Sequence, residues 1–205
     1  CGMHESQSRF MENNVGRSVA FWEKVFPKFK EAFPSQLENV TCEDWVKAIN
    51  TPERSLIRIE ADELTYPLHI MVRYELEKEM INGDIDVMDL PQKWNALYKE
   101  YLGVDVPNDT KGILQDVHWS GGMFGYFPTY ALGSAIAAQI YDYLKVEINI
   151  EQLLKEGKLD QVCGWLKENI HQYGGTKTTQ ELLMDSVKET FNPNYYVEYL
   201  VKKFG

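Results

Sequence analysis

The chain has 205 residues, 44% hydrophobic and 25% charged, ordinary proportions for a globular protein with one substantial core. Its net charge of −10 argues against a nucleic-acid partner, because phosphate contact needs a basic stripe and the sequence holds none. No apolar run approaches the ~18 residues of a membrane span. Cys1, Cys42 and Cys163 are too few and too scattered for a disulfide framework, so a reduced, cytoplasmic setting is expected.

The chain opens on Cys1-Gly2-Met3-His4-Glu5 and enters an amphipathic helical pattern almost at once. Natural termini usually offer a few dispensable residues first, and the opening residues are polar, with no apolar signal core. A fragment of a longer protein is expected. The first pattern runs from Met3 to Phe33, with apolar residues at Phe10, Val15, Val19, Phe21, Trp22, Val25 and Phe26. Pro27 lacks the N–H that continues a helix without a kink, so a break or the start of a second short helix is predicted there.

Thr41-Cys42-Glu43-Asp44 has the form of a capping box and predicts a short helix through Ile49. Ser55 to Glu60 alternates, and periodicity leaves strand and helix entry both open. Ala61 to Asn82 is predicted as a long helix, with Pro67 in its first turns and Gly83 as its C-terminal stop. Asp89 to Leu102 is another, begun by Asp89 and ended by Gly103. Val104 to Gly125 reads as a loop rich in glycine, and long ordered loops often carry function. Tyr126 to Val146 reads as a buried helix with Ala131, Gly133, Ser134, Ala135, Ala137 and Ala138, residues small enough to admit a close neighbour. Helices near Asp160–Tyr173, Thr179–Thr190 and Pro193–Phe204 complete an all-α chain. It holds at most one or two very short strands and is read as one helical unit over residues 1–205.

Three clusters combine residue types that catalysis uses. In His4-Glu5-Ser6-Gln7-Ser8-Arg9, Glu5 and Arg9 lie one helical turn apart, which taken alone reads as a surface ion pair. In Ile57-Arg58-Ile59-Glu60-Ala61-Asp62-Glu63-Leu64-Thr65-Tyr66, the arginine between two isoleucines needs a carboxylate, either a structural Asp or Glu or that of a substrate. In Gly112-Ile113-Leu114-Gln115-Asp116-Val117-His118-Trp119, followed by Gly125-Tyr126-Phe127-Pro128-Thr129-Tyr130, hydrogen-bonding and aromatic groups are dense enough for a binding site. His69 and His171 lack such company and read as packing or surface residues. The sequence contains no HExxH and no other complete metal-ligand spacing.

The runs HESQSR, IRIEADELTY, GILQDVHW and GYFPTY occur in this order. Together they resemble the signature motifs of carboxypeptidase Taq-type metallopeptidases, and the similarity extends across the connecting stretches to the final KKFG. The resemblance implies a helical zincin whose HExxH helix precedes the HESQ motif and is not in this chain. It implies Glu5 as one ligand of a zinc ion, for which cobalt or another divalent metal may substitute. It further implies that Arg58 pairs with the free C-terminal carboxylate of a peptide substrate, and that His118 and Tyr130 assist at the scissile bond, with Tyr126 competing for that role. Gln115 and Asp116 are expected to shape the loop on the substrate side, and Asp116 to orient His118. The full-length enzyme is expected to be a cytoplasmic homodimeric carboxypeptidase, this portion inactive alone. The alternative is a non-catalytic helical domain that binds peptides.

Overall fold

Helical periodicity dominates the sequence, and the computed structural model, which describes residues 1–205, is accordingly all-helical with no strand. Ten α-helices follow in order: α1 Gly2–Arg9, α2 Val19–Ala32, α3 Cys42–Ile49, α4 Tyr66–Asn82, α5 Leu90–Leu102, α6 Pro128–Glu147, α7 Ile150–Glu156, α8 Leu159–Asn169, α9 Thr179–Val187 and α10 Asn194–Phe204. No helix is long and apolar enough to cross a membrane. The three cysteines are unpaired. By packing, the chain resolves into two compact units, Cys1–Asn50 with Leu132–Gly205, and Thr51–Ala131.

In the first unit, α1 continues into a π-helical stretch over Phe10–Val15 before the chain turns at Gly16. The break predicted at Pro27 is therefore misplaced, since α2 runs straight through that residue. The physical reason is exposure: Pro27 and Glu23 both face solvent, where water can satisfy the carbonyl that the missing N–H abandons. Ser18 caps α2 by accepting from the Phe21 N–H. The Thr41 box forms as predicted, with Asp44 N–H donating to Thr41 Oγ1 at 3.1 Å and Thr41 N–H donating to Asp44 Oδ2 at 3.1 Å. A second box joins Thr178 and Glu181 at the start of α9. That helix ends at Val187, not Thr190, because Lys188 adopts a left-handed conformation.

Helix α7 has no counterpart in the sequence reading. It is short and is delimited by left-handed Asn149 and Gly157, so its period never establishes itself. The core of this unit joins Phe10 and Val15 to Ile136, Ile140, Tyr141 and Leu144 of α6 and to Leu154, Leu166 and Leu183 of the later helices. The small residues of α6 let α1 approach closely: a Cβ on Gly133 would lie 2.5 Å from Glu5 Cγ and 3.1 Å from the Glu5 backbone carbon.

In the second unit, Ser55–Glu60 forms no strand; a single 3₁₀ turn covers Arg58–Glu60. Helix α4 starts at Tyr66 and not at Ala61, because Asp62 Oδ1 accepts from the N–H groups of Leu64 and Thr65 at 2.8 and 3.0 Å and holds them in a turn. Gly83 and Gly103 end α4 and α5 in left-handed conformations, as glycine after a helix does. Val72 and Leu76 of α4 pack with Trp94, Leu97, Tyr98 and Leu102 of α5, and Tyr66 and Ile70 pack with Phe127. The segment from Val104 to Phe127 carries no helix or strand and lays its polar side chains against α4.

Candidate functional site

Between exposed Leu114 and Val117, the loop turns Gln115 and Asp116 inward together, and His118 follows them into the interior. Leu114 and Val117 are 70% and 73% exposed, whereas His118 is 7% exposed. Asp116 turns inward and receives two arginines. Arg58 donates to Asp116 Oδ1 from Nε and Nη2, at 3.0 and 2.7 Å. Arg73 of α4 donates to Oδ2 from Nε at 2.7 Å, with Nη2 at 2.5 Å. Burial pushes the Asp116 carboxyl pKa up, but the two guanidinium groups outweigh it and hold the pKa below the usual carboxylate range. Two buried cations share one anion, so this bonded set carries one positive charge in excess.

The two arginines differ in what they have left. Arg73 is fully buried and also donates to the His69 carbonyl, the Tyr98 hydroxyl and Gln115 Oε1. Hydrogen bonds thus account for four of its five N–H groups, and Nη2 also lies in ion-pair contact with Asp116 Oδ2. Arg58 uses three of its five: two on Asp116 and one on the Tyr66 hydroxyl at 3.1 Å. Its guanidinium carbon lies 4.9 Å from the centroid of the Tyr130 ring, within cation–π range.

Gln115 ties the loop down. Its Oε1 accepts from the Arg58 N–H and from Arg73, both at 2.9 Å, and its Nε2 donates to the carbonyls of Leu56 and Lys111. The expectation that Asp116 orients His118 is not met, because both of its oxygens are taken by arginine. His118 is instead held by Tyr130, whose hydroxyl lies 2.8 Å from Nε2, and by Phe127, whose ring centroid lies 4.3 Å away. His118 Nδ1 is buried without a hydrogen-bond partner. Burial first, then the charge of Arg58, lowers the His118 pKa, so the ring is neutral at pH 7. Tyr126 lies beside both partners, its ring tilted at 5.7 Å from His118 and edge-on at 5.4 Å from Tyr130; Tyr130 is the one whose hydroxyl reaches the imidazole.

Glu5 lies in the other unit. Its Oε1 accepts from Arg9 Nε at 2.9 Å and its Oε2 from Ser8 Oγ at 3.1 Å, and its side chain is 19% exposed. The predicted Glu5–Arg9 pair is therefore formed, with Glu5 seated against Gly133. Gln7 Oε1 accepts from His171 Nε2 at 2.9 Å, and His4 is exposed.

Arg73 and Tyr98 escaped the sequence reading, and Tyr66 stood in the second cluster without a role. For Arg73 a signal existed: it falls three residues after Ile70 and three before Leu76, both buried, so helical periodicity points it inward. His69 is fully buried, bonded to the Tyr98 hydroxyl through Nδ1 at 3.1 Å. Desolvation and the nearby arginines lower its pKa to about 4.

Comparison with known proteins gives one consistent result. The sequence profile of the family described as Carboxypeptidase Taq (M32) metallopeptidase matches residues 1–204. Carboxypeptidase 1 of Bacillus subtilis is 45% identical over 205 residues, which is 100% of this chain and 41% of that protein. Thermostable carboxypeptidase 1 of Thermus thermophilus is 44% identical over 206 residues, covering 100% and 40%. Among solved structures, the M32 carboxypeptidase from Deinococcus radiodurans superposes with a TM-score of 0.95 at 42% identity, over 100% of this chain and 41% of that one. The Pyrococcus furiosus carboxypeptidase does so at 0.94 and 39%, over 100% and 41%. The chain thus spans about two fifths of the length of these relatives.

Proposed function

Because the chain belongs to the carboxypeptidase Taq (M32) metallopeptidase family, we propose that it is the substrate-side portion of a metal-dependent enzyme releasing C-terminal amino acids from peptides. On this reading the intact protein is a cytoplasmic homodimer, and these 205 residues alone are inactive. A catalytic zinc takes three protein ligands, and no three His, Cys, Asp or Glu side chains converge in this chain. The donors here do not fit a complete zinc or cobalt site. Glu5 offers one carboxylate, pre-oriented by Ser8 and Arg9, and the proposal assigns the other ligands to a segment outside the 205 residues.

The observation that carries the reading is the unspent capacity of Arg58 beside the His118–Tyr130 pair. A peptide C-terminus is a carboxylate, and a carboxylate takes two parallel N–H bonds from a guanidinium. Arg58 has two N–H groups left after Asp116 and Tyr66 are served. The excess positive charge of the buried set gives an incoming anion a reason to stay. Tyr130, 4.9 Å from that guanidinium, then stands one residue's reach from the anchored terminus. With a neutral His118 donating from Nε2 to the Tyr130 oxygen, the Tyr130 hydroxyl acts as the donor toward the oxyanion of the tetrahedral intermediate. Gln115 and Asp116 hold the loop, and Tyr126 closes the aromatic wall.

The test uses the chain extended upstream through the whole reading frame. Release of the C-terminal residue from N-acetyl dipeptides should require a free carboxylate, fail on the amides, and stop on chelation. Chelator-insensitive release, or equal turnover of acids and amides, would remove the proposal. For the 205-residue chain itself, calorimetry should find no tight stoichiometric zinc binding. Retention of acid-selective peptide binding with no chelator-sensitive turnover in the extended protein would favour a non-catalytic peptide-binding domain.

A further inference from the structure

The sequence motifs stop short of Arg73, and the proposed chemistry does not touch it. Its geometry is nonetheless the most constrained in the second unit. The side chain is 0% exposed. Its guanidinium carbon lies 4.6 Å from the Trp94 ring centroid and 5.4 Å from that of Phe127. All three of its nitrogens are engaged, on Asp116, Gln115, the Tyr98 hydroxyl and the His69 carbonyl. It therefore has no capacity to bind a ligand itself.

What it does is divide the Asp116 carboxylate. Arg73 occupies Oδ2, so only Oδ1 faces Arg58, and both Arg58 bonds to Asp116 converge on that single oxygen. Had Asp116 been free to rotate, its two oxygens could have taken a full fork from Arg58, the favoured geometry for an isolated arginine–carboxylate pair. That arrangement would use the same two N–H groups of Arg58 but give it the whole carboxylate charge, cancelling its own. Arg73 also holds Gln115 Oε1, which in turn accepts from the Arg58 backbone N–H. One buried side chain on α4 thus fixes both the carboxylate and the backbone of Arg58.

We infer that Arg73 is a positioning residue that, by sharing Asp116, keeps the Arg58 guanidinium only partly neutralised and aimed for a substrate carboxylate. The inference rests on the assignment of Arg58 to the peptide C-terminus. It adds that recognition depends on the division of Asp116 between two arginines, and not on Arg58 alone. An ammonium at position 73 preserves the charge but cannot serve Asp116, Gln115 and the His69 carbonyl in one plane, so lysine should not substitute.

The experiment compares binding of N-acetyl-Phe-Ala and its C-terminal amide to the 205-residue chain, by NMR titration of ¹⁵N-labelled protein. The wild type should prefer the acid. R73K should lose at least ~10-fold of that preference, with amide affinity and the circular dichroism spectrum unchanged. A folded R73K that keeps the full acid preference overturns the inference. Because a buried arginine can be needed for folding, a second measurement uses the wild type only. Saturation with the acid should shift the Nε–H signals of both Arg58 and Arg73, since the ligand redistributes Asp116 between them. A shift confined to Arg58 overturns the inference as well. If the wild type fails to distinguish acid from amide, the failure lies with the assignment of Arg58, and the two results are told apart on one sample.

Discussion

Replacing Asp116 by asparagine changes one charge and almost no volume, so its consequence isolates the electrostatics of the buried set. The side chain is 9% exposed, and its partners Arg58 and Arg73 are 7% and 0% exposed. Removing one partner from a buried ion pair costs about 3–5 kcal/mol, because an uncompensated charge stays behind. Here a single carboxylate serves two guanidiniums, which places the loss toward ~5 kcal/mol, a large part of the ~5–15 kcal/mol that holds a domain together. For a chain of this size each kcal/mol moves the melting temperature by roughly 2–4 °C, so D116N should melt ~10–20 °C below wild type. Thermal and urea unfolding followed by near-UV circular dichroism report it, since Trp94 lies against Arg73. The control is D105N, which opens the exposed Lys99–Asp105 pair, 58% and 85% exposed, and should leave the transition where it is. A D116N transition that coincides with that of D105N would refute the reasoning.

Two further outcomes follow from single residues. His69 is fully buried with its pKa lowered to about 4. The unfolded chain takes up its proton near pH 6.5 and the folded chain only near 4, so stability is complete above ~6.5 and falls by up to ~3 kcal/mol as pH drops from there to about 4; a His69 ¹H resonance titrating near 6.5 in the folded chain contradicts this. In G133A, the added Cβ would meet Glu5 Cγ at 2.5 Å, its Cβ at 2.8 Å and its backbone carbon at 3.1 Å. Overpacking costs ~1–3 kcal/mol, at the upper end where backbone is struck, and better helix propensity returns ~1. Urea unfolding should show a net loss of ~1–2 kcal/mol, and a more stable variant would mean that α1 is not seated on α6 as described.

Much of the fold was legible because local chemistry decided it. The Thr41–Asp44 box, the left-handed stops at Gly83 and Gly103 and the small-residue face of α6 each act within a few residues, which is the range a sequence displays. Errors arose where a tertiary or solvent term overrode that local rule. Pro27 is tolerated because its face is wet. Asp62 delays α4 with side-chain bonds that compete with the helix. The site divides the same way: Arg58 and Gln115–His118 stood out as motifs, whereas Arg73 sits 42 to 43 residues from its loop partners, so only its helical register announced it. The direction of Asp116 was misjudged for that reason, since without Arg73 in view His118 was its nearest apparent partner.

The buried arginine pair also bears on why this site exists at all. A buried ion pair is seldom a gain in stability, because desolvation consumes most of the Coulombic attraction, and well-packed apolar side chains often do as well. A structural clamp would therefore be expected to balance its charges. The set formed by Arg58, Arg73 and Asp116 does not: two cations meet one anion, and the excess sits on the arginine whose donors are incompletely used. Folding alone gives no reason to retain an unmatched charge under Tyr130 and Phe127. A ligand that arrives carrying the missing negative charge does give one. The expected signature is stabilisation by N-acetyl-Phe-Ala that grows with ligand concentration as binding to the native state alone requires, by ~2.7 kcal/mol at a hundredfold excess over Kd. The same ligand should stabilise R58M not at all, and equal stabilisation of both chains would return the pair to a purely structural role.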